Sequence, residues 1–510
     1  MIKVDKNKKI NKLWGGAFEQ SPEEDVITFT EGRDVNGQEA VDYKLLPYDI
    51  WGNKAHCIML FEAGIISKSD AKMILQGLNK IQKLAEKKEF ILDPKKEDVH
   101  TNIESFLTDE YGIGIAGKLH TGRSRNDQSN LDTRLYLKDQ VLIFAENMAE
   151  LAKSLAKQAD LYKEIPMPGF THQQHAMVTT FGHVLMTFSS MVLRDVKRMT
   201  NWINLHNTSP LGSAASYGTS FPINQVLTAS LLGFDGVDTS SLDYITNRWE
   251  PEADLAFAIS VFMNHLSIMA ETLILFSTPE FDMVKISDRY STGSSMMPQK
   301  KNPDSLEVMK GKSAMAAGVL QSLIGTGKSK IIGYNRDSQW TKYFITDLVS
   351  ECILAPVIMK GIIESLNVNK EKMLYWSGKG FIGATSLLEQ ISWRNKISFR
   401  QAKILIEKAV KYSEDKDFIS YAGLKKALLE EKIDIAISEQ NVKDWQDPVK
   451  ILKTTSSIGG PGLKNVTKSI SLILDELVKL ESVIKKSQKQ KQNSLNLTQK
   501  YMNKIVGGAN

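Results

Sequence analysis

Apolar residues recur at intervals of three and four along most of this chain, the spacing that lays one face of a helix against a core. Ala55, Ile58, Met59 and Phe61, then Met73, Leu75, Leu78, Ile81 and Leu84, predict a helix pair between residues 50 and 88, broken at Gly64–Ser69. The stretch EDVHTNIESFLTDEYG adds a helix ended by Gly112 and Gly114. After the loop AGKLHTGRSRNDQ, where Ser124 or Asn126 is able to cap, the residues Leu131, Leu135, Leu142, Phe144, Met148, Leu151, Leu155 and Ala159 imply one helix longer than thirty residues. Gln173–His206, Glu252–Ser277, Asp304–Leu323 and Thr341–Leu366 share its character, and strand-like alternation is almost absent. These features predict an all-α chain built on a long-helix bundle.

The pattern also suggests boundaries. Residues 1–120 read as an N-terminal helical domain whose first fifty residues are irregular, and 121–370 as the central bundle. Residues 371–484 hold shorter helices ending in one over Leu463–Lys485, and 485–510 form a polar tail expected to fray and then lose order. A chain of 510 residues has material for about three domains. The net charge of +5 makes no case for nucleic acid but suits an anionic substrate. Cys57 and Cys352 sit in apolar patterns and read as buried thiols of a reducing compartment. The basic N-terminus lacks a signal peptide's apolar core, and no apolar run approaches a membrane span, which places the protein in the cytoplasm.

The densest chemistry lies in YSTGSSMMPQKKNPDSLE, Tyr290–Glu307. Small residues around Gly293 describe a loop able to open and close, and Lys300, Lys301 and a helix start with Asn302 as cap follow it. Such a group could grip carboxylates while a serine moves a proton. HTGRSRNDQ puts Arg123, Ser124, Arg125 and Asn126 at the start of the longest helix, where guanidinium forks and free N–H groups suit a dicarboxylate. PGFTHQQH places Thr171 and His172 at a predicted helix start, and GYNRDSQWTK gathers Tyr334, Asn335, Gln339 and Lys342. No histidine has metal-ligand spacing.

Gly293–Pro303 resembles the GSSxMPxKxNP signature of the fumarase/aspartase superfamily, and QKKNPDSLE, HTGRSRNDQ, EDVHTNIE and YNxDxQxxK resemble argininosuccinate lyases in particular. The chain departs from that pattern at Ala17 in LWGGAF, at Gln38 where a serine is usual, and at Gln173, Met177 and Val178. The resemblance implies a three-domain all-α fold whose long helices form the core of a homotetramer, with each site built from three chains. It implies β-elimination of argininosuccinate to arginine and fumarate, the last step of arginine biosynthesis, without metal or organic cofactor. Ser294, His172, Glu307 and Lys300 are its implied catalytic residues. Ser124, Arg125, Asn126, Thr171, Asn302, Tyr334, Gln339 and Lys342 are its implied substrate-binding residues. The alternatives are another fumarate-releasing lyase, such as one acting on adenylosuccinate, or an inert structural relative.

Overall fold

The computed structural model describes residues 23–31 and 40–507, so Leu13–Phe18, Arg33 and Gln38 lie outside the described residues. Five long helices, Arg125–Leu161, Phe181–His206, Glu250–Phe276, Asp304–Gly327 and Leu463–Val506, make the central bundle. Its largest apolar core includes Leu151, Phe181, Phe262 and Met309, all essentially without solvent contact. Helices Val41–Glu62, Lys68–Glu86 and Val99–Tyr111 pack around a second core that also takes in Leu211, Phe234 and Met502. Ala384–Asn395, Phe399–Lys411 and Tyr421–Glu431 close around a third, centred on Leu387, Leu405 and Leu424.

The bundle's polarity fixes where the motifs fall. Helix Glu250–Phe276 begins beside the start of Arg125–Leu161, where Arg248 donates to Ser129 Oγ at 2.9 Å. It ends beside the hairpin that follows that helix, with the rings of Phe276 and Phe170 5.9 Å apart. Helix Asp304–Gly327 returns antiparallel, since Lys310 pairs with Glu271 and Ser260 donates to the Ala316 carbonyl at 3.0 Å.

Five sequence expectations change. Regular structure begins before Asp49, because Val41–Glu62 is one helix despite Pro47. Burial of Leu45, Leu46 and Ile50 outweighs the backbone hydrogen bond the proline removes. The helix expected from Gln173 starts only at Phe181, capped by Thr180, whose Oγ1 accepts from the His183 N–H at 3.0 Å. Strands Pro166–Thr171 and Gln174–Thr180 precede it as an antiparallel hairpin. His172 and Gln173 form its turn at φ 54° and 61°, the paired positive values that match a hairpin's twist. The helix expected over Thr341–Leu366 is two, Thr341–Cys352 and Ala355–Glu364, with Pro356 in the first turn of the second. Glu250–Phe276 is also long and apolar enough to cross a membrane by length and composition, against the expectation of no such run. It packs on three other bundle helices and buries residues such as Leu255, Ile259 and Leu266 there.

The polar tail is the clearest correction. Leu463–Val506 is a single 44-residue helix, buried at Ser487, Ser494, Thr498, Met502 and Ile505. Steps of seven, four, four and three residues keep these on one face, but three of the five are hydroxylic, so no apolar stripe advertises them. Trp51 Nε1 donates to Thr498 Oγ1 at 3.4 Å, Thr498 donates to the Leu231 carbonyl at 2.9 Å, and Lys491 pairs with Asp139 at 2.6 Å. Truncation before Lys485 is expected to lower stability by about 4 kcal/mol, from re-exposing Met502, Ile505 and the groups they cover. A thermal melt unchanged by the truncation would contradict this packing.

Candidate active site

At one end of the bundle, Ser124 caps helix Arg125–Leu161: its Oγ accepts from the Asn126 N–H at 3.3 Å, and its own N–H donates to Asp127 Oδ1 at 2.9 Å. The other Asp127 oxygen accepts from the N–H groups of Gly212 and Ala214 at 3.0 and 2.8 Å. Burial pushes the Asp127 carboxyl up to about 6, although these three backbone donors and Arg123 pull the other way. The clamp fixes a loop the sequence reading missed, whose signals were the small residues Gly212–Ser216 and positive φ at Gly212, Ala214 and Ser216.

Beside it Arg123 donates to Asn53 Oδ1, and Asn53 in turn donates to Asp49 Oδ2 at 2.9 Å. Asp49 Oδ1 also faces Gln128 Nε2 at 2.7 Å and His100 Nδ1 at 2.9 Å. Burial works to raise the Asp49 carboxyl, but His100, Arg123 and Gln128 outweigh it and hold it below its ordinary range. Burial and the Asp49 charge push Asp132, 3.6 Å from His100, well above the usual carboxylate range. Asp49, His100 and Asp132 hold three potential ligand atoms within 4.8 Å of one another. With Asp49 already accepting three donors, a proton shared with Asp132 suits this group better than a cation. A cavity of about 20 Å³ opens here among His100, Glu104, His120, Arg123, Arg125 and Gln128, room for a water-sized guest.

Six residues named from the sequence stand at this end. Ser124 and Asn126 form the cap, and Arg125 reaches Asp98 and, at 3.4 Å, Glu97. Lys342 pairs with Asp42 at 2.6 Å, while the second Asp42 oxygen accepts from the Val99 N–H at 3.0 Å. Tyr334 lies under the Arg248 guanidinium, 5.6 Å from the ring centroid, and Gln339 is exposed. Arg248, bonded to Ser129, thereby joins the 334–342 segment to the HTGRSRNDQ helix, a role no sequence pattern signalled.

Glu252 supports the same end. Its Oε1 accepts from Thr341 Oγ1 at 3.0 Å, and burial raises its carboxyl to about 7 against the pull of Arg248. Because the folded value lies above the unfolded one, its stabilising contribution is complete below about pH 4.5 and is lost as pH rises through 7. Glu252→Gln is expected to remove about 3 kcal/mol of that pH dependence while keeping an acceptor for Thr341. Urea melts of both proteins between pH 5 and 8 would test it; parallel curves would contradict it.

The other predicted residues stand at the opposite end. Thr171 and His172 are exposed on the hairpin. Thr292–Gly293 pairs antiparallel with Lys301–Asn302, and the intervening loop carries Ser294 and Lys300. Ser294 Oγ accepts from the N–H groups of Met296 and Met297 at 3.2 and 3.0 Å, two dipoles that favour an alkoxide over a neutral hydroxyl. Asn302 is not the helix cap: Pro303 takes that position, and the Asn302 amide lies 3.5 Å from the Gly293 carbonyl. Glu307 is exposed in the first turn of Asp304–Gly327.

Helix length separates the two groups. The 37 residues of Arg125–Leu161 span about 55 Å and the 24 of Asp304–Gly327 about 36 Å. Among the described residues, no hydrogen bond or ion pair joins His172 to Ser294, Lys300 or Glu307. One copy thus holds the candidate residues in two groups at opposite ends of the bundle.

Residues 32–318 match the family described as Lyase. An argininosuccinate lyase of Caldanaerobacter subterraneus is 37% identical over 88% of this chain and 99% of its own, and one of Alcanivorax borkumensis is 40% identical over 80% and 86%. An EDDS lyase solved with formate superposes at a TM-score of 0.86 with 26% identity, covering 96% of each chain. A fumarate lyase from Mesorhizobium, at 17% identity and a TM-score of 0.66, shares the fold. With its two clusters of lyase motifs held at opposite ends of an all-α bundle, the chain belongs to the argininosuccinate lyase family of the fumarase/aspartase superfamily.

Proposed function

We propose that this protein is an argininosuccinate lyase, splitting argininosuccinate into arginine and fumarate by reversible β-elimination. The observation that carries the reading is the retention of Ser294, His172, Lys300 and Glu307 in one end cluster and of the whole HTGRSRNDQ cap in the other. The difficult step is removing a weakly acidic proton next to a carboxylate, which builds negative charge on that carboxylate. Lys300 and Asn302 supply positive potential and a hydrogen bond there, and Ser294, its alkoxide favoured by two N–H dipoles, takes the proton. His172, paired with Glu307 of another copy, serves the departing nitrogen. Ser124, Arg125, Asn126, Thr171, Tyr334, Gln339 and Lys342 hold the rest of the substrate.

The working unit is a cytoplasmic homotetramer in which each site draws on three copies. Antiparallel neighbours would lay the arginine-rich end of one bundle against the serine and histidine end of another. A stripe on Glu250–Phe276 supports such contacts: Phe257, Ile268 and Leu275 are exposed, and their steps of eleven and seven residues hold them to one side of the helix. Buried, unpaired Cys57 and Cys352, their thiols pushed up to about 12 by burial, suit a reducing compartment.

Fumarate absorbance tests the assignment. Release from argininosuccinate, with none from adenylosuccinate, malate or aspartate, is the expected result. Release from adenylosuccinate instead would move the protein to another branch, and release from none would make it an inert relative.

A further inference from the structure

Away from both groups of candidate residues, a cavity of about 930 Å³ lies between helices Val41–Glu62 and Lys68–Glu86 and the far end of Leu463–Val506. Its size is that of a small-molecule pocket. The apolar lining comes from Leu46, Ile50, Trp51 and Phe90 on one side and Leu495 and Met502 on the other. Ile91 and Leu495 remain 69% and 36% exposed, so the apolar surface is left open to a guest.

One charge in this cavity is unbalanced. Lys54 is 6% exposed, yet its ammonium donates to Gln82 Oε1 and has no carboxylate at ion-pair distance among the described residues. Gln82 passes the bond on to Glu86 at 2.8 Å. The other charges on the walls are Glu86, Lys88 and the Asp139–Lys491 pair, to which Tyr48 also donates at 2.8 Å. Two lysines therefore face one carboxylate outside an ion pair, Glu86, and the buried one has no anion at ion-pair distance among the described residues. Burial draws the Lys54 ammonium down to about 8 while Glu86 pulls it up, which leaves it charged at neutral pH. A buried ammonium beside an apolar hollow is stabilised by a ligand that brings both a carboxylate and apolar surface.

We propose that this cavity binds an amphipathic monocarboxylate, its apolar body against Trp51, Phe90 and Leu495 and its carboxylate on the Lys54 ammonium. The site is separate from the lyase chemistry, although it shares a helix with it: Asp49 and Asn53 face the Arg123 loop while Trp51 and Lys54 line the hollow.

Calorimetric titration of the full chain with 4-phenylbutyrate and with 4-phenylbutanol, its uncharged counterpart, tests the proposal. The acid is expected to bind saturably, one per chain, and at least tenfold more tightly than the alcohol. Lys54→Met is expected to remove that preference and leave the alcohol unaffected, and Leu495→Trp, which fills the mouth, to abolish binding of both. Equal affinity for acid and alcohol, an acid affinity unchanged in Lys54→Met, or no saturable heat at millimolar acid would each overturn it. Should Lys54→Met fail to fold, the comparison of acid with alcohol on the unaltered chain and the Leu495→Trp variant decide the matter.

Discussion

Replacing Ser294 with alanine is expected to lower kcat for fumarate release by about a thousandfold or more, the size of effect seen when a proton-transferring group is lost. The fold should be indifferent. Ser294 lies in the loop of a two-residue-per-strand hairpin next to Met296, which is 88% exposed, and its side chain fills no core. Among the described residues its only hydrogen bonds are those it accepts from Met296 and Met297, whose N–H groups can turn to water once Oγ is gone. Stability should therefore stay within about 0.5 kcal/mol, the usual range for a surface change. Ser295→Ala is the matched control: it is an exposed neighbour in the same loop and should retain activity within a fewfold. A Ser294→Ala enzyme with normal turnover and an unchanged melt would remove this hydroxyl from the reaction and leave His172 as the base to test next.

What could be read from residue order divides along physical lines. Helix termini set by local hydrogen bonding were legible, because Ser124 and its capping box with Asp127 involve four consecutive residues. The core faces were legible too, since Leu131 through Ala159 repeat at helical spacing and nearly all are buried. Features that depend on tertiary partners were not. His172 was expected at a helix start, but residues 174–180 pair with 166–171, and the turn between them needs two positive φ values that nothing in THQQ announces. The tail past Lys485 looked too polar to pack, and it is held by Thr498, Lys491 and only two buried apolar residues, Met502 and Ile505, one turn apart near its end. The candidate site shows the same limit. Each motif could be named from its residues, while the partners that hold Arg125 and Lys342, namely Asp98 and Asp42, lie far away in sequence. That the motifs fall at two ends of the bundle follows only from helix lengths and directions in space.

Those two ends lead to a second result with a large expected effect. An Arg125→Ala variant and a Ser294→Ala variant should each be nearly inactive, yet mixing them and letting subunits exchange is expected to restore about a quarter of the unaltered activity. The fraction follows from symmetry. Under the proposed arrangement, each site in a pair of antiparallel copies would take its arginine end from one copy and its serine end from the other. A mixed pair then has one site carrying both substitutions and one carrying neither, and random exchange makes half of all pairs mixed. Any site confined to one chain would be defective in every copy, and mixing would restore nothing. The separation of about 36 Å or more between the two clusters makes that second outcome incompatible with a single pocket holding Arg125 and Ser294 together. Activity that stays at the level of the separate variants after proven subunit exchange would therefore exclude both residues from a common site. Recovery near a quarter, rising with exchange time and absent when two Ser294→Ala samples are mixed, would place the two ends of different copies around one substrate.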